Sequence, residues 1–236
     1  EVMSYVVSVG DAAMPEETMA DAAEHKPLDI ELSEMRCPDA KATIAMKKAI
    51  DRAKSDGESL GGTFRVVVNG LLPALGGFEE ARNRLTSKLG GALFSIPAIK
   101  GVEFGIGFKN AEVLGHEAHD EIYLDKKKGF MRRTNRAGGL EGGMTTGMPL
   151  IMTAAMKPIP TQIDPLNTVN IDTLEVDKAS TERSDVCAVP AASVVAEAEV
   201  AFIIAQAYLD KFGSDNMTDI KANIESFKKR IKTMSR

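Results

Sequence analysis

Three stretches of the 236-residue chain carry side chains whose types and spacing can do chemistry. Between Lys126 and Leu140 stand Lys126, Lys127, Lys128, Arg132, Arg133 and Arg136 without a single acid, and Gly129, Gly138, Gly139, Gly142, Gly143 and Gly147 are interleaved with them or follow. Such a stretch concentrates positive potential on a backbone free to adopt φ > 0 and approach a ligand closely. A charge run alone reads as a solvated loop; the glycines, which solvation does not need, favour anion binding. Lys157-Pro158-Ile159-Pro160-Thr161 ends an apolar run. Its prolines fix an ammonium and a hydroxyl at a set spacing, which suits a phosphate or an electron-rich ring edge. The same pattern also makes a stiff exit from an edge strand. Arg183-Ser184-Asp185 precedes a helix beginning near Pro190. There an Arg and an Asp can bind an anion and tune a proton-transfer group, or simply pair to close the turn.

Other patterns carry less. Gly101 to Gly107 has the glycines of a dinucleotide fingerprint inside an apparent strand with no helix after it, so the required context is missing. His116 and His119, with Glu117 and Asp120, have too few ligands nearby for a zinc site and read as a surface turn. His25 reads as solvated in a polar connector. Cys187 has no histidine beside it and reads as a packed thiol at the helix entry.

The elements that must hold these groups follow from periodicity. Val2 to Val9 is a β-branched run stopped by Gly10. Starting inside a strand suggests polypeptide upstream and an opening strand left at an unpaired edge. Residues 11–36 read as a connector with a short helix after Pro15. Pro38 and Asp39 open a helix with Ala42, Met46, Ala49, Ile50 and Ala53 on one face and Gly57 as its stop. Strands are predicted at Thr63 to Val68, Ile99 to Phe108, Glu121 to Leu124, Leu150 to Met156 and Val169 to Val176. A helix from about Glu79 carries Leu85, Leu89, Leu93 and Ile96. Residues 126–147 form one long, mobile, basic loop. Ala191 to Lys211 is apolar nearly all round, the pattern of a helix buried between layers. A last helix carries Ile220, Ile224, Phe227 and Ile231, with Asp219 near its start and Lys228, Lys229, Arg230 and Lys232 near its end.

Composition bounds the class. Hydrophobic residues make up 44% of the chain and 29 basic side chains stand against 34 acidic ones, which excludes a disordered chain and argues against a nucleic-acid coat. Cys37 and Cys187 are too few for a disulfide scaffold, and no stretch reads as a signal peptide or a clean membrane span. The elements mix without regular βα alternation, so the fold class is α+β: a layered sandwich of antiparallel sheets and helices around a central buried helix.

Five ordered motifs together resemble the chorismate synthase family. They are Asp56-Gly57-Glu58-Ser59-Leu60-Gly61-Gly62; Ser95-Ile96-Pro97-Ala98-Ile99-Lys100-Gly101-Val102-Glu103-Phe104-Gly105; Thr134-Asn135-Arg136-Ala137-Gly138-Gly139-Leu140-Glu141-Gly142-Gly143-Met144; Met156 through Thr161; and Arg183-Ser184-Asp185 on to Pro190-Ala191-Ala192. The resemblance is to the C-terminal portion of a single domain over residues 1–236. The Gly-Glu-Ser-His-Gly motif that opens the family, with its catalytic His, and the Arg-rich motifs after it do not occur in the sequence. Thr146 stands where the family usually has Asn, and Pro97 where many members have Asn.

The resemblance implies a cytoplasmic lyase that eliminates phosphate from 5-enolpyruvylshikimate 3-phosphate to give chorismate, with reduced FMN as cofactor and NADP as an associated nucleotide. It implies a homo-oligomer, a tetramer in the family, with no metal, no nucleic acid and no membrane. Flavin contacts carry over to Pro97, Ala98, Gly142, Lys157, Pro158, Ile159, Pro160, Thr161 and Arg183. Asp185 matches an Asp implicated in moving a proton beside the flavin. Arg133 and Arg136 fall in the loop expected to order over the substrate, whose phosphate and two carboxylates need several cations. A chain without the histidine motif is expected to lack synthase turnover. The competing reading is a non-catalytic assembly module that binds anions or flavin weakly.

Overall fold

The β-branched residues of Val2–Val9 favour a pleated, packed strand over a helix, where their χ1 freedom would be lost, and this strand, β1, anchors the main sheet. The computed structural model describes residues 1–20, 24–125 and 129–234. After β1 come β2 (Ala12–Ala13), α1 (Glu16–Ala20), α2 (Pro27–Glu31), α3 (Ala40–Ser55), β3 (Gly62–Val68), α4 (Leu85–Ser95) and β4 (Ile99–Phe104). The middle third holds α5 (Gly115–Ala118), β5 (Ile122–Asp125), β6 (Gly129–Arg132), β7 (Leu140–Glu141), β8 (Met144–Thr145) and β9 (Leu150–Met156). The chain closes with β10 (Asn167–Val169), β11 (Val176–Lys178), α6 (Val189–Phe212) and α7 (Met217–Met234).

Five strands form an antiparallel sheet in the order β2-β1-β3-β9-β4. Val6 faces Phe64, which faces Ala154; Ser4 faces Val66, which faces Met152. These residues are fully or almost fully buried and form one wall of the core. Against it pack α6 and α4, while α2 and α3 pack beside β1 and β2. Asp39 caps α3 by accepting from Ala42 N at 2.7 Å, and Gly57 at φ 74° turns the chain out of it. The layered antiparallel α+β class inferred from the sequence is the one observed.

Several expectations are corrected. The opening strand is covered at its end only: β2 pairs with β1 at Ser8 and Val9, and among the described residues the rest of β1 has no strand partner on that side. The helix expected from Glu79 starts at Leu85, because Leu85 N donates to Gly143 O at 2.8 Å and a 3-10 turn at Ala81–Asn83 precedes it. The strand from Ile99 ends at Phe104, broken by Gly105 (φ 60°) and Gly107 (φ 51°). The strand expected across Val169 to Val176 is instead the turn between β10 and β11, nucleated by Asn170 Oδ1 accepting from Asp172 N and Thr173 N. Residues 129–147 are not one loop: β6 pairs with β5 and β7 with β8. Lys126, Lys127 and Lys128 lie outside the described residues. His25 is half-buried and packs edge-on against the Tyr5 ring at 4.9 Å between centroids.

The largest correction concerns α6. Its buried residues Ala192, Ala196, Val200, Ile204 and Ala207 form one stripe against the sheet and α4. The opposite stripe, Ala191, Val195, Ala198, Phe202, Ala205 and Leu209, is exposed, with Phe202 at 80%. In this chain α6 is covered on one face only. By length and composition alone it would pass for a membrane span, with a mean hydropathy of 1.5.

Candidate functional site

The two ends of β9 carry the two sets of residues singled out above. At the Met156 end, Met156 pairs with Gly62 of β3 and Ile99 of β4. Lys157 N donates to Ala98 O at 2.9 Å, which brings the Pro97-Ala98 turn alongside the Lys157–Thr161 segment. Ser59 Oγ donates to Ile159 O at 2.6 Å, and Ser184 Oγ to Thr161 O at 3.1 Å. Leu60 N donates to Val186 O at 2.8 Å, and Leu60 forms an isolated parallel bridge with Cys187. Lys157 to Thr161, Pro97-Ala98 and the Arg183-Ser184-Asp185 turn are thus drawn into one neighbourhood.

Lys157, Pro158, Pro160, Arg183 and Asp185 are exposed there, while Ile159 and Thr161 are half-buried. Among the described residues, neither the Lys157 ammonium nor the Arg183 guanidinium has a carboxylate partner within salt-bridge distance. The Arg183–Asp185 pair left open by the sequence is not formed, and α6 starts without a side-chain cap. Two uncompensated cations beside a proline-stiffened backbone make an anion-accepting surface. Burial pushes the Cys187 thiol up, partly offset by a hydrogen bond from the Val189 amide, so it is no activated nucleophile.

The Leu150 end is built around Asp120, which sequence reasoning placed in a surface turn without a role of its own. Its carboxylate is buried and accepts from Thr134 Oγ1 at 2.5 Å, Arg136 N at 2.8 Å and Ala137 N at 3.0 Å. Burial alone would raise its pKa. The Thr134 hydroxyl, the Ala137 and Arg136 amides and the nearby Arg132 charge outweigh burial and hold it below the usual carboxylate range. Arg132 grips Glu141 with both terminal nitrogens, at 3.0 and 2.6 Å. Arg136 donates to His119 O at 3.1 Å, and Arg133 lies 5.3 Å from the Tyr123 ring centroid. Around them is a cleft of about 400 Å³ lined in part by His116, His119, Glu121, Arg133 and Arg136. Thr146 Oγ1 accepts from Met148 N at 3.3 Å, one of the bonds an Asn carbonyl would make.

Gly142, the exposed tip of the β7–β8 hairpin, belongs to this end as well. β9 holds its own two ends about 20 Å apart, at roughly 3.3 Å per residue. Gly142, Arg133 and Arg136 thus stand on segments at the Leu150 end of the strand, and Lys157 and Arg183 on segments at its Met156 end. The only signal that could have revealed Asp120 was its place beside His119, in a cluster read as a surface turn. Among the described residues no group of three His, Cys, Asp or Glu side chains could hold a metal ion.

The chorismate synthase family model matches residues 1–209, which takes in both ends of β9 and most of α6. The chain belongs to the chorismate synthase family. The chorismate synthase of Geobacillus sp. (strain WCH70) is 54% identical over 199 residues, covering 84% of this chain and 51% of that protein. That of Bacillus subtilis (strain 168) is 49% identical over 229 residues, covering 97% and 58%. A crystal structure of chorismate synthase superposes with a TM-score of 0.83 at 36% identity, covering 99% of this chain and 64% of the other. The chain thus spans little more than half the length of the curated chorismate synthases it matches.

Proposed function

We propose that this chain supplies the Lys157-to-Thr161 side of a chorismate synthase site, in a lyase that eliminates phosphate from 5-enolpyruvylshikimate 3-phosphate. The observation that carries this reading is the pair of uncompensated cations, Lys157 and Arg183, held on neighbouring segments tied together through residues 57–60. Reduced flavin is anionic, and the donor set fits it: an ammonium, a guanidinium, the Thr161 hydroxyl and a backbone stiffened by Pro158 and Pro160. Pro97 and Ala98 border the same surface through the Ala98–Lys157 hydrogen bond. Reduced FMN would supply transient electron donation with no net redox change.

Asp185, exposed beside Arg183, is placed in this reading to hold or move a proton at the edge of the bound ring. Arg133, Arg136 and Gly142 stand at the far end of β9. A second copy presenting its Leu150 end is the arrangement that lets them serve the same ligands, in line with the homo-oligomer the resemblance implies. The reaction belongs to cytoplasmic biosynthesis in this reading, and residues 1–236 bind without turning over.

Flavin fluorescence titration of the chain against Lys157→Ala and Arg183→Ala tests the reading. FMN is expected to bind in the high-micromolar to millimolar range and to weaken in each variant by roughly one to two decades, since a hydrogen bond to a charged group is worth about 1.5–3 kcal/mol. Equal binding by all three proteins, or none at millimolar FMN, defeats it. Turnover by the chain at a full synthase rate would defeat the claim that it binds without turning over.

A further inference from the structure

Lys157-Pro158-Ile159-Pro160-Thr161 has little means of holding its own shape. Pro158 and Pro160 have no N–H to donate, and the Lys157 amide is already committed to Ala98 O. What fixes the segment comes from elsewhere: Ser184 Oγ donates to Thr161 O at 3.1 Å, and further ties come from residues 57–61 between α3 and β3. Gly57 O accepts from Ile163 N at 3.2 Å, Gln162 Nε2 reaches Glu58 at 2.9 Å, and Ser59 Oγ donates to Ile159 O at 2.6 Å. On its other side the same stretch holds the Arg183 turn, through Leu60 N to Val186 O.

Residues 57–61 are a splint between the two cation-bearing segments. Of the hydrogen bonds it makes among the described residues, the one from Ser59 lands inside the five-residue segment and those to Gln162 and Ile163 fall beyond it. Ser59 is only 7% exposed, so water does not compete freely for Ile159 O. Next to it Gly61 has no room for a side chain: a Cβ there would overlap Met156 O and come within 2.9 Å of Pro158 N. The splint therefore lies against the Lys157 segment through backbone at Gly61 and a single hydroxyl at Ser59.

We propose that Ser59 is a positioning residue, whose hydroxyl, by holding the Ile159 carbonyl, sets the shape in which Lys157 and Thr161 face the flavin. This rests on the flavin reading above. It adds a residue that touches no ligand and acts only through the segment that does.

The experiment uses the full 236-residue chain as wild type, Ser59→Ala, Ser59→Thr and, as a control, Ser8→Ala. Ser8 loses a comparable half-buried hydroxyl contact, to Thr63 at 2.7 Å, away from the segment. Two quantities are read: FMN affinity by flavin fluorescence, and amide hydrogen exchange over residues 157–163 and over the rest of the sheet. Ser59→Ala is expected to weaken FMN about tenfold, the loss of one buried hydrogen bond. Its faster exchange should be confined to 157–163. Ser59→Thr, which keeps the hydroxyl, should restore both, whereas Ser8→Ala, which frees the Thr63 amide, should leave FMN affinity and exchange over 157–163 unchanged.

The proposal is overturned if Ser59→Ala exchanges and binds like wild type. It is equally overturned if its exchange rises across the whole sheet, or if Ser8→Ala weakens FMN as much. Should wild type take up no FMN, the flavin reading fails on its own and exchange alone judges Ser59. Faster exchange confined to 157–163 then supports its role in shaping the segment, and unchanged exchange refutes it.

Discussion

Ala98 hands its carbonyl to the Lys157 amide at 2.9 Å while itself sitting at φ 68°, in the left-handed region that L side chains avoid. Ile99 N donates back to Ile96 O at 3.3 Å, so Ile96 to Ile99 form a turn with proline in its second place and a positive φ in its third. That is the arrangement of a type II turn, whose third place favours glycine or asparagine. Strain in this turn is thus coupled directly to the Lys157 segment.

Replacing Ala98 by glycine should accordingly stabilise the chain. Relief of about 1–2 kcal/mol of left-handed strain exceeds the roughly 0.5–1 kcal/mol that glycine costs in chain entropy. The expected net gain is about 0.5–1 kcal/mol, read as a higher urea midpoint at unchanged slope. Ala98→Val, with a branched Cβ at positive φ, should lose more than about 1 kcal/mol. A valine variant as stable as the glycine one would contradict the turn assignment.

Asp120 predicts a pH dependence with a definite sign. Its folded pKa is depressed, so its contribution is fully present above the unfolded value of about 3.9 and is lost as pH falls through the folded value. At pH 7 Asp120→Ala should cost about 2–3 kcal/mol, since three donors lose a charged acceptor. The gap between wild type and variant should shrink steadily below about pH 4. Denaturant melts at a series of pH values check this, and a gap constant down to pH 2 would show that charge plays no part.

Two glycines should respond oppositely to the same added methyl group. Gly61→Ala forces a Cβ against Met156 O and Pro158 N and should cost about 3 kcal/mol. Gly91→Ala, inside α4 with nothing within 4 Å of the added atom, should gain about 0.5–1 kcal/mol from helix propensity. Paired urea titrations decide it. Similar values for the two would mean that the close approach at Gly61 relaxes at no cost.

The two faces of α6 should differ as sharply. Ile204→Ala, on the covered face, should cost about 2–4 kcal/mol. Phe202→Ala, 80% exposed, should stay within about 0.5 kcal/mol of wild type. A large loss at Phe202 in the isolated chain would mean that another copy covers this face in solution.

Strong periodic patterns proved legible in the sequence. The α3 stripe from Ala42 to Ala53, the Asp39 cap, the β3 face of Phe64, Val66 and Val68, and both limits of β9 stand where spacing put them. The Asn170 turn was hidden, because Val169, Ile171, Leu174 and Val176 look like strand residues while the turn is set by one side-chain carbonyl. The hairpins within residues 129–147 were hidden for a related reason. Their order is tied to Glu141, which pairs with the Arg132 guanidinium from the margin of the counted run, and to Asp120, which accepts from the Arg136 backbone amide from outside it.

The two faces of α6 were also beyond reach, since an apolar stripe of small residues reads the same whether covered or bare. At the candidate site, Lys157, Thr161 and Arg183 were named from residue type. Ser59 was part of a quoted motif without a role, because its bond to Ile159 O spans a hundred positions. Chemistry announces itself locally, whereas the groups that aim it are found only once the chain has folded.

The fixed span of β9 also constrains how this protein can vary. Leu150, Met152 and Ala154 face the core while the strand's two ends carry Pro149 with its glycine turn and Lys157 with its prolines. Because side chains alternate, deleting one residue between Leu150 and Met156 would invert the strand's core face and turn Lys157 to the opposite side of the sheet. Deleting two would restore the facing but draw the ends together by roughly 7 Å. The strand works as a gauge: residues within it can be exchanged for others of similar bulk, but the count between its ends cannot change without displacing the segments at one end from those at the other.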